Sequence, residues 1–204
     1  MSLYSKYVLP RVIDLTMQNP ETRRLREVWI PQAEGEVLEV GIGSGLNLEL
    51  YTQRVSQVHG VDPSLELQRM ARKRSGRIDV EFLLQSVENP LPLSSGSMDT
   101  VVLTWTLCSI PDPQKALLEI KRVLKSEGKL IFIEHGLAPD SGVAAWQGRL
   151  TPIWKHIGGD CHLNRKIDDL IKQAGFRIAE MTTSYLAGPR PMTYTYQGAA
   201  QKIT

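Results

Sequence analysis

Apolar residues change their spacing repeatedly along these 204 residues, and each change marks a predicted element. Val8, Val12, Leu15 and Met17 fall on one side of a helical stretch predicted over 4–29. That stretch restarts at Asn19-Pro20-Glu21 with a capping side chain, a first-turn proline and an acid beside the helix N-terminus. The run at 37–42 is apolar on both sides, as a central parallel strand is when helices cover both its faces. Further strands are predicted at 57–62, 80–84, 98–104 and 129–134. Between them, Ser64 opens a helix carrying Leu65, Leu67 and Met70. A second helix starts at Pro111-Asp112-Pro113, carries Ala116, Leu117, Ile120, Val123 and Leu124, and ends at Gly128. Beyond 137 the alternation loosens. Residues 144–157 predict one helix or two short ones, 158–162 interrupt it, and Asn164 caps a helix running to Gly175. Two closing strands, 176–185 and 192–200, flank a turn at 188–191.

Strands alternating with helices predict an α/β fold with a doubly wound parallel sheet. The length suits one domain over 1–204, with 1–34 as a helical arm before the first strand. That arm serves either as packing or as a lid. A formal net charge of +2 is too small to argue for a nucleic-acid partner or an anionic membrane. No apolar run approaches the roughly 20 residues of a spanning helix, and no charged-then-apolar leader pattern precedes the fold, so a cytoplasmic protein is expected. Cys108 and Cys161 lie in unrelated segments without C-x-x-C spacing. Neither a disulfide framework nor a metal site is expected, and Cys108 reads as a small buried hydrophobe.

The chemistry concentrates after the strand at 37–42. Gly41, Gly43 and Gly45 alternate, which lets the backbone turn sharply and approach a ligand without Cβ atoms intervening. A helix is expected to follow, its N-terminus aimed at the same spot. The dinucleotide fingerprint is G-x-G-x-x-G, whereas this loop is G-x-G-x-G preceded by Glu39. A carboxylate there suits a ligand ammonium group, which a nicotinamide dinucleotide lacks and S-adenosylmethionine has. Asp62, at the end of the second strand, is placed to accept hydrogen bonds from two ribose hydroxyls, with Ser64 taking the capping role and leaving the acid free. The cluster Arg23-Arg24-Leu25-Arg26 reads as a solvated helix face.

The pattern Glu39-x-Gly41-x-Gly43-x-Gly45 resembles motif I of the class I S-adenosylmethionine-dependent methyltransferases, and the order of motifs carries the resemblance over about 35–204. Val61-Asp62-Pro63, Leu107-Cys108-Ser109-Ile110, Glu134-His135, Pro152-x-Trp154, Asp160-Cys161-His162-Leu163-x-Arg165, Arg190-Pro191 and Tyr194-x-Tyr196 are similar to the thiol methyltransferases of animals. Bacterial phospholipid and quinone methyltransferases share much of this skeleton. The resemblance implies a Rossmann-like seven-stranded sheet whose last strand inserts antiparallel, a helical insertion at 137–165 over the acceptor, and S-adenosylmethionine as cofactor with S-adenosylhomocysteine as product. It implies a cofactor-binding set of Glu39, Gly41, Gly43, Gly45, Asn47, Asp62, Pro63, Gln85, Ser86, Val87, Leu103 and Thr104. Gln85 and Ser86 stand where the family usually has a Gly-Asp pair that receives the adenine amino group. His135, Asp160 and His162 are the catalytic candidates, with Arg165 beside them, and no metal is implied. Trp105, Trp146 and Trp154 belong to the core or to the acceptor site. The implied acceptor is a small hydrophobic thiol, phenol, quinone or lipid head group, which leaves room for a substrate held at a membrane surface. The competing functions are a non-catalytic cofactor-binding module and an NAD-dependent oxidoreductase.

Overall fold

The computed structural model describes residues 8–76 and 78–203. Its strands are Gly35–Val40 (β1), Val55–Val61 (β2), Val80–Leu83 (β3), Met98–Thr104 (β4), Leu124–His135 (β5), Phe176–Tyr185 (β6) and Tyr194–Lys202 (β7). They form one sheet in the order β3-β2-β1-β4-β5-β7-β6. The strands from β3 to β5 run parallel, and β7 inserts antiparallel to both β5 and β6. Strand order reverses between β1 and β4, so a crevice opens outside their carboxyl ends.

The helices are Leu9–Thr16 (α1), Pro20–Trp29 (α2), Leu65–Arg74 (α3), Pro113–Val123 (α4), Ser141–Ile157 (α5), Ile167–Gln173 (α6) and Arg190–Thr193 (α7). Alternate strand residues serve opposite faces, as the two-residue period requires. Leu38, Val101, Leu130 and Phe132 pack with α4 and α6, while Val37, Val58, Val102 and Ile131 pack with Trp29, Leu48 and Ala71. Each such large side chain contributes about 1.5–3 kcal/mol on burial. No described helix is long and apolar enough to cross a membrane.

The structure departs from the sequence pattern at several boundaries. Where a helix was expected after the glycine loop, there is a three-residue 3-10 turn, Leu48–Leu50. Leu48 and Tyr51 are both buried. Side chains three apart eclipse in the tighter helix, so both can enter the sheet together. Helix α4 ends at Val123, because Leu124 turns extended and pairs with Met98. Gly128 lies inside β5, where a Cβ would sit 2.7 Å from Leu124 Cδ1. Asn164 is exposed and Lys166 precedes α6 instead. The Arg165 carbonyl accepts from Leu137 N at 2.7 Å and holds that segment extended.

The arm also differs. Of the helix expected over 4–29, residues 4–7 lie outside the described residues. Val8, Val12 and Leu15 point outward, while Pro10 and Asp14 are buried. Arg74 Nη1 pairs with Asp14 Oδ1 at 2.7 Å and draws the polar side of α1 inward. Trp29 Nε1 donates to Gln197 Oε1 at 2.8 Å and fastens α2 to the sheet.

Strand β6 bulges between Ile178 and Glu180 where it faces β7. A Cβ on Gly198 would collide with the Glu180 carbonyl oxygen and lie 3.0 Å from Met181 Cα, both backbone atoms. Gly198→Ala is therefore expected to lose about 1–3 kcal/mol of stability, read as a lowered midpoint of thermal unfolding. An unchanged midpoint would mean that the ladder accommodates the methyl group.

Candidate functional site at the carboxyl ends of the strands

The loop after β1 holds Gly41, Gly43 and Gly45 at φ 68°, 55° and 81°, in the left-handed region that favours glycine. The three serve different ends. A Cβ on Gly41 would collide with the Thr106 side chain, and one on Gly45 would lie 2.9 Å from Ala71 Cα. At Gly43 a Cβ would meet only the Gly41 carbonyl, 3.7 Å away, so this is the glycine that leaves space for a ligand.

Two buried acids frame the loop. Asp62 Oδ2 accepts from Gly43 N at 3.1 Å and Oδ1 from Ser64 N at 2.7 Å. The acid is thus engaged and not free as expected, although each oxygen keeps a lone pair for a hydroxyl donor. Ser64 Oγ does cap α3, accepting from Leu67 N at 3.3 Å. Glu39 Oε1 accepts from Asn47 Nδ2 at 2.8 Å, and Oε2 from the Tyr51 hydroxyl at 2.9 Å. Burial pushes the Glu39 carboxyl up to about 7 against those two donors, and pushes Asp62 up as well. Asn47 also donates to Thr104 Oγ1 at 3.0 Å, while its own Oδ1 is buried without a partner. A carboxylate beside an unpaired amide oxygen suits an ammonium donor.

Arg26 corrects the reading of 23–26 as a solvated face. Arg23 is exposed and pairs with Glu27 and Glu49. Arg26 is buried, its guanidinium 4.8 Å from the Trp105 ring centroid, and its Nη1 donates to the Met17 carbonyl at 2.8 Å. Burial lowers its pKa to about 10, with Glu39 acting in the opposite sense, and Nε has no partner. The available signal was spacing: Thr22, Arg26 and Trp29 share the buried face of α2. A cavity of about 380 Å³ lies between the arm and the loop, lined by Arg23, Arg26, Gly45, Leu46, Leu50 and Arg74 among others.

At the turn after β3, Gln85 Nε2 donates to the Pro90 carbonyl at 3.2 Å, which leaves its amide oxygen as an acceptor. Ser86 Oγ is occupied with Glu88 at 2.8 Å. Val87 and Leu103 are buried in the core, so Leu103 can offer a ligand only its backbone, and Pro63 is exposed beyond β2.

The ends of β4 and β5 form the other half of the crevice. Glu134 is fully buried, and its carboxylate accepts from Thr106 N and Leu107 N at 2.9 Å each and from Cys108 N at 3.1 Å. Burial raises its pKa while these three donors oppose the rise. Trp105 takes a left-handed φ of 51° at the head of the turn. Arg165 Nη1 donates to the Leu107 and Ile110 carbonyls at 2.6 and 2.7 Å, so the guanidinium is spent on the backbone.

His135 is half-buried, its ring 6.2 Å from that of Trp105. Its Nδ1 lies 3.7 Å from Cys161 Sγ, which lies 3.5 Å from Cys108 Sγ. Folding brings two segments with no shared motif into contact, so spacing along the chain carried no sign of it. Asp160 and His162 do not join this cluster through their side chains. Asp160 is exposed at a φ of 61°. His162 donates its backbone N–H to the Cys108 carbonyl at 2.8 Å, and burial, with Arg165 and Lys155 nearby, lowers its imidazole pKa. Trp154 packs against the cysteines with Leu150 and Met192, whereas Trp146 is exposed.

Residues 38–132 match the family model of a methyltransferase domain. The chain is 40% identical over 154 residues to the thiol S-methyltransferase TMT1B of Rattus norvegicus, covering 72% of this chain and 62% of that protein, so it spans about three fifths of that relative's length. It is 34% identical to the phosphatidylethanolamine N-methyltransferase of Cereibacter sphaeroides, covering 78% of this chain and 79% of that protein. The crystal structure of a SAM-dependent methyltransferase from Methanosarcina mazei superposes with a TM-score of 0.67 at 25% identity, covering 84% and 94% of the two chains.

The raised pKa of Glu39 has a thermodynamic consequence. Between the ordinary value of 4.5 and about 7 the folded chain keeps a proton that the unfolded chain has released. Stability therefore falls as pH rises through that window, by on the order of 3 kcal/mol for this group. Glu39→Gln removes that loss, so its stability relative to the wild type should climb from pH 4.5 to 7 in denaturant unfolding series. A difference that stays flat with pH would rule out the buried, proton-holding carboxyl.

Proposed function

Because the chain belongs to the class I S-adenosylmethionine-dependent methyltransferases, we propose that it methylates a small apolar acceptor, a thiol in the first place. When bound, S-adenosylmethionine supplies a methyl carbon made electrophilic by its sulfonium sulfur. The residues of the crevice suit its other groups. The free lone pairs of Asp62 take the ribose hydroxyls, Glu39 with the unpaired Asn47 Oδ1 takes the ammonium, and Gly43 leaves room for close approach. Arg26, buried with an unpaired Nε beside the loop cavity, takes the carboxylate. At the turn after β3, Gln85 offers its amide oxygen to the adenine amino group.

The observation that carries the acceptor class is the composition of the wall beyond the crevice. Cys108, Cys161 and Leu163 form a buried cluster against which Trp154 packs, and His135 stands beside it, with Nδ1 3.7 Å from Cys161 Sγ and its ring 6.2 Å from that of Trp105. An apolar surface with few polar anchors suits a small hydrophobic molecule better than a protein side chain or a nucleic acid. His135 assists loss of the acceptor proton, which a thiol needs only below its own pKa. The similarity to a protein named for S-methylation of thiols agrees with this. A second reading, a lipid head-group amine, is favoured by the Cereibacter relative and by the exposed Val12 and Leu15 on α1 and Trp146 and Ile153 on α5.

Calorimetry should show binding of S-adenosylhomocysteine and none of NAD. Asp62→Ala should weaken that binding by about 1–3 kcal/mol. Arg26→Ala should weaken S-adenosylhomocysteine similarly while leaving 5′-methylthioadenosine, which has no carboxylate, unaffected. Equal losses for both ligands would assign Arg26 to holding the arm. For the acceptor, small thiols should be turned over in preference to phenols and phosphatidylethanolamine vesicles. His135→Ala should slow thiol methylation near neutral pH and recover towards alkaline pH. Preferential turnover of the vesicles would favour the lipid reading, and turnover of a peptide alone would refute the small-acceptor pocket.

A further inference from the structure

We propose that Cys108, His135 and Cys161 form a binding site for a thiophilic divalent cation of the zinc class, with three protein ligands. The three donor atoms lie within 4.8 Å of one another and come from three segments: the turn after β4, the end of β5 and the turn after α5. Zinc–sulfur bonds of 2.3 Å and zinc–nitrogen bonds of 2.0–2.1 Å in a tetrahedron place two sulfurs about 3.8 Å apart and sulfur about 3.6 Å from nitrogen. The two sulfurs here are 3.5 Å apart, and Cys161 Sγ is 3.7 Å from His135 Nδ1. Two thiolates and an imidazole are a soft, borderline donor set that selects zinc over magnesium or calcium.

The ligands are also held in place, which separates a built site from a chance approach of side chains. The Cys108 backbone is fixed by Glu134 through its N–H at 3.1 Å and by His162 N through its carbonyl at 2.8 Å. Arg165 clamps the carbonyls on either side of that turn. The His162 contact holds the segment carrying Cys161, and His135 sits in the β5–β7 ladder opposite Thr195. Cys108 and Cys161 are buried while His135 is half-buried, so the cluster opens towards solvent on the imidazole side.

Among the described residues no further histidine or carboxylate joins the group as a fourth ligand. Three protein ligands and an open position are the arrangement of catalytic zinc sites, not of closed structural ones. Resting on the thiol reading above, the fourth position receives the acceptor: the thiol binds as thiolate through sulfur and gives its proton to water. His135 then acts on acceptor ionisation through the metal.

The test is a titration of the full chain, kept reduced with a phosphine, with cobalt(II) as a spectroscopic probe and zinc as competitor. One equivalent should give thiolate-to-cobalt charge-transfer absorption and the visible bands of a tetrahedral site, both removed by zinc. Cys161→Ser should lose the charge-transfer intensity. His135→Ala, the half-buried position and so the variant safest for the fold, should lose the tetrahedral bands with the circular dichroism unchanged. Added thiophenol should intensify the charge-transfer band. A reduced chain that takes up no cobalt, or bands indifferent to both substitutions, would overturn the site, and indifference to thiophenol would overturn the open position. Thiol methylation by metal-free chain would overturn the metal's role in holding the acceptor and leave the thiol reading standing; metal uptake without methylation of any thiol would overturn the thiol reading and leave the site standing.

Discussion

A carboxylate is buried at tolerable cost when each of its oxygens accepts a hydrogen bond, because the desolvation of an unpaired charge costs more than a single contact returns. Three acids meet that condition at the carboxyl ends of the strands, and satisfying them shapes the three loops of the site. Glu39 draws in Asn47 and Tyr51, so the chain after the glycine loop winds into a short 3-10 turn. Asp62 ties the glycine loop to the start of α3 through Gly43 and Ser64. Glu134 gathers three successive backbone N–H groups and sets the turn that begins at Trp105 and presents Cys108.

The crevice between these loops has two sides with different chemistry. On the β1–β2 side stand the acids and the glycine backbone, suited to a polar nucleoside and an amino-acid tail. On the β4–β5 side stand tryptophan, sulfur and imidazole, suited to an apolar acceptor. Arg26 bridges the two, lying over Trp105 while acting electrostatically on Glu39. The arm that carries it is not loosely laid on. The Asp14–Arg74 pair joins it to α3, where Arg74 also donates to the Ser44 carbonyl of the glycine loop at 2.8 Å, and the Trp29–Gln197 hydrogen bond joins it to β7.

The position of α5 is fixed by one polar residue. Gln147 of α5 is buried; it accepts from Ala138 N at 2.9 Å and donates to the Gly136 and Pro191 carbonyls at 3.0 and 3.2 Å. This amide ties α5 to the end of β5 and to the α7 turn. Trp154 thereby faces the cysteines while Trp146 faces outward. The insertion is thus positioned by satisfied polar groups as much as by apolar packing.

The sequence by itself determined what depends on local periodicity and backbone permissiveness. Strand β4 runs over the predicted 98–104, the Ser64 cap opens α3, and the glycine loop follows β1, because alternation, capping groups and positive-φ glycines act within a few residues. The seven-stranded order with an inserted antiparallel strand came from family resemblance, not from any one segment. What only the tertiary structure decided lies wherever a distant partner outweighs a local preference. Glu39 calls Tyr51 inward and shortens the helix after the loop; Met98 pairs with Leu124 and ends α4 early; Asp14 turns α1 polar side in to meet Arg74. Arg26 is buried by a ring and a carbonyl that spacing along the chain does not place near it, and the Cys108–Cys161–His135 group joins three segments with no shared motif. Such contacts depend on how helices and strand ends pack in space, which a one-dimensional pattern of apolar and polar positions does not encode.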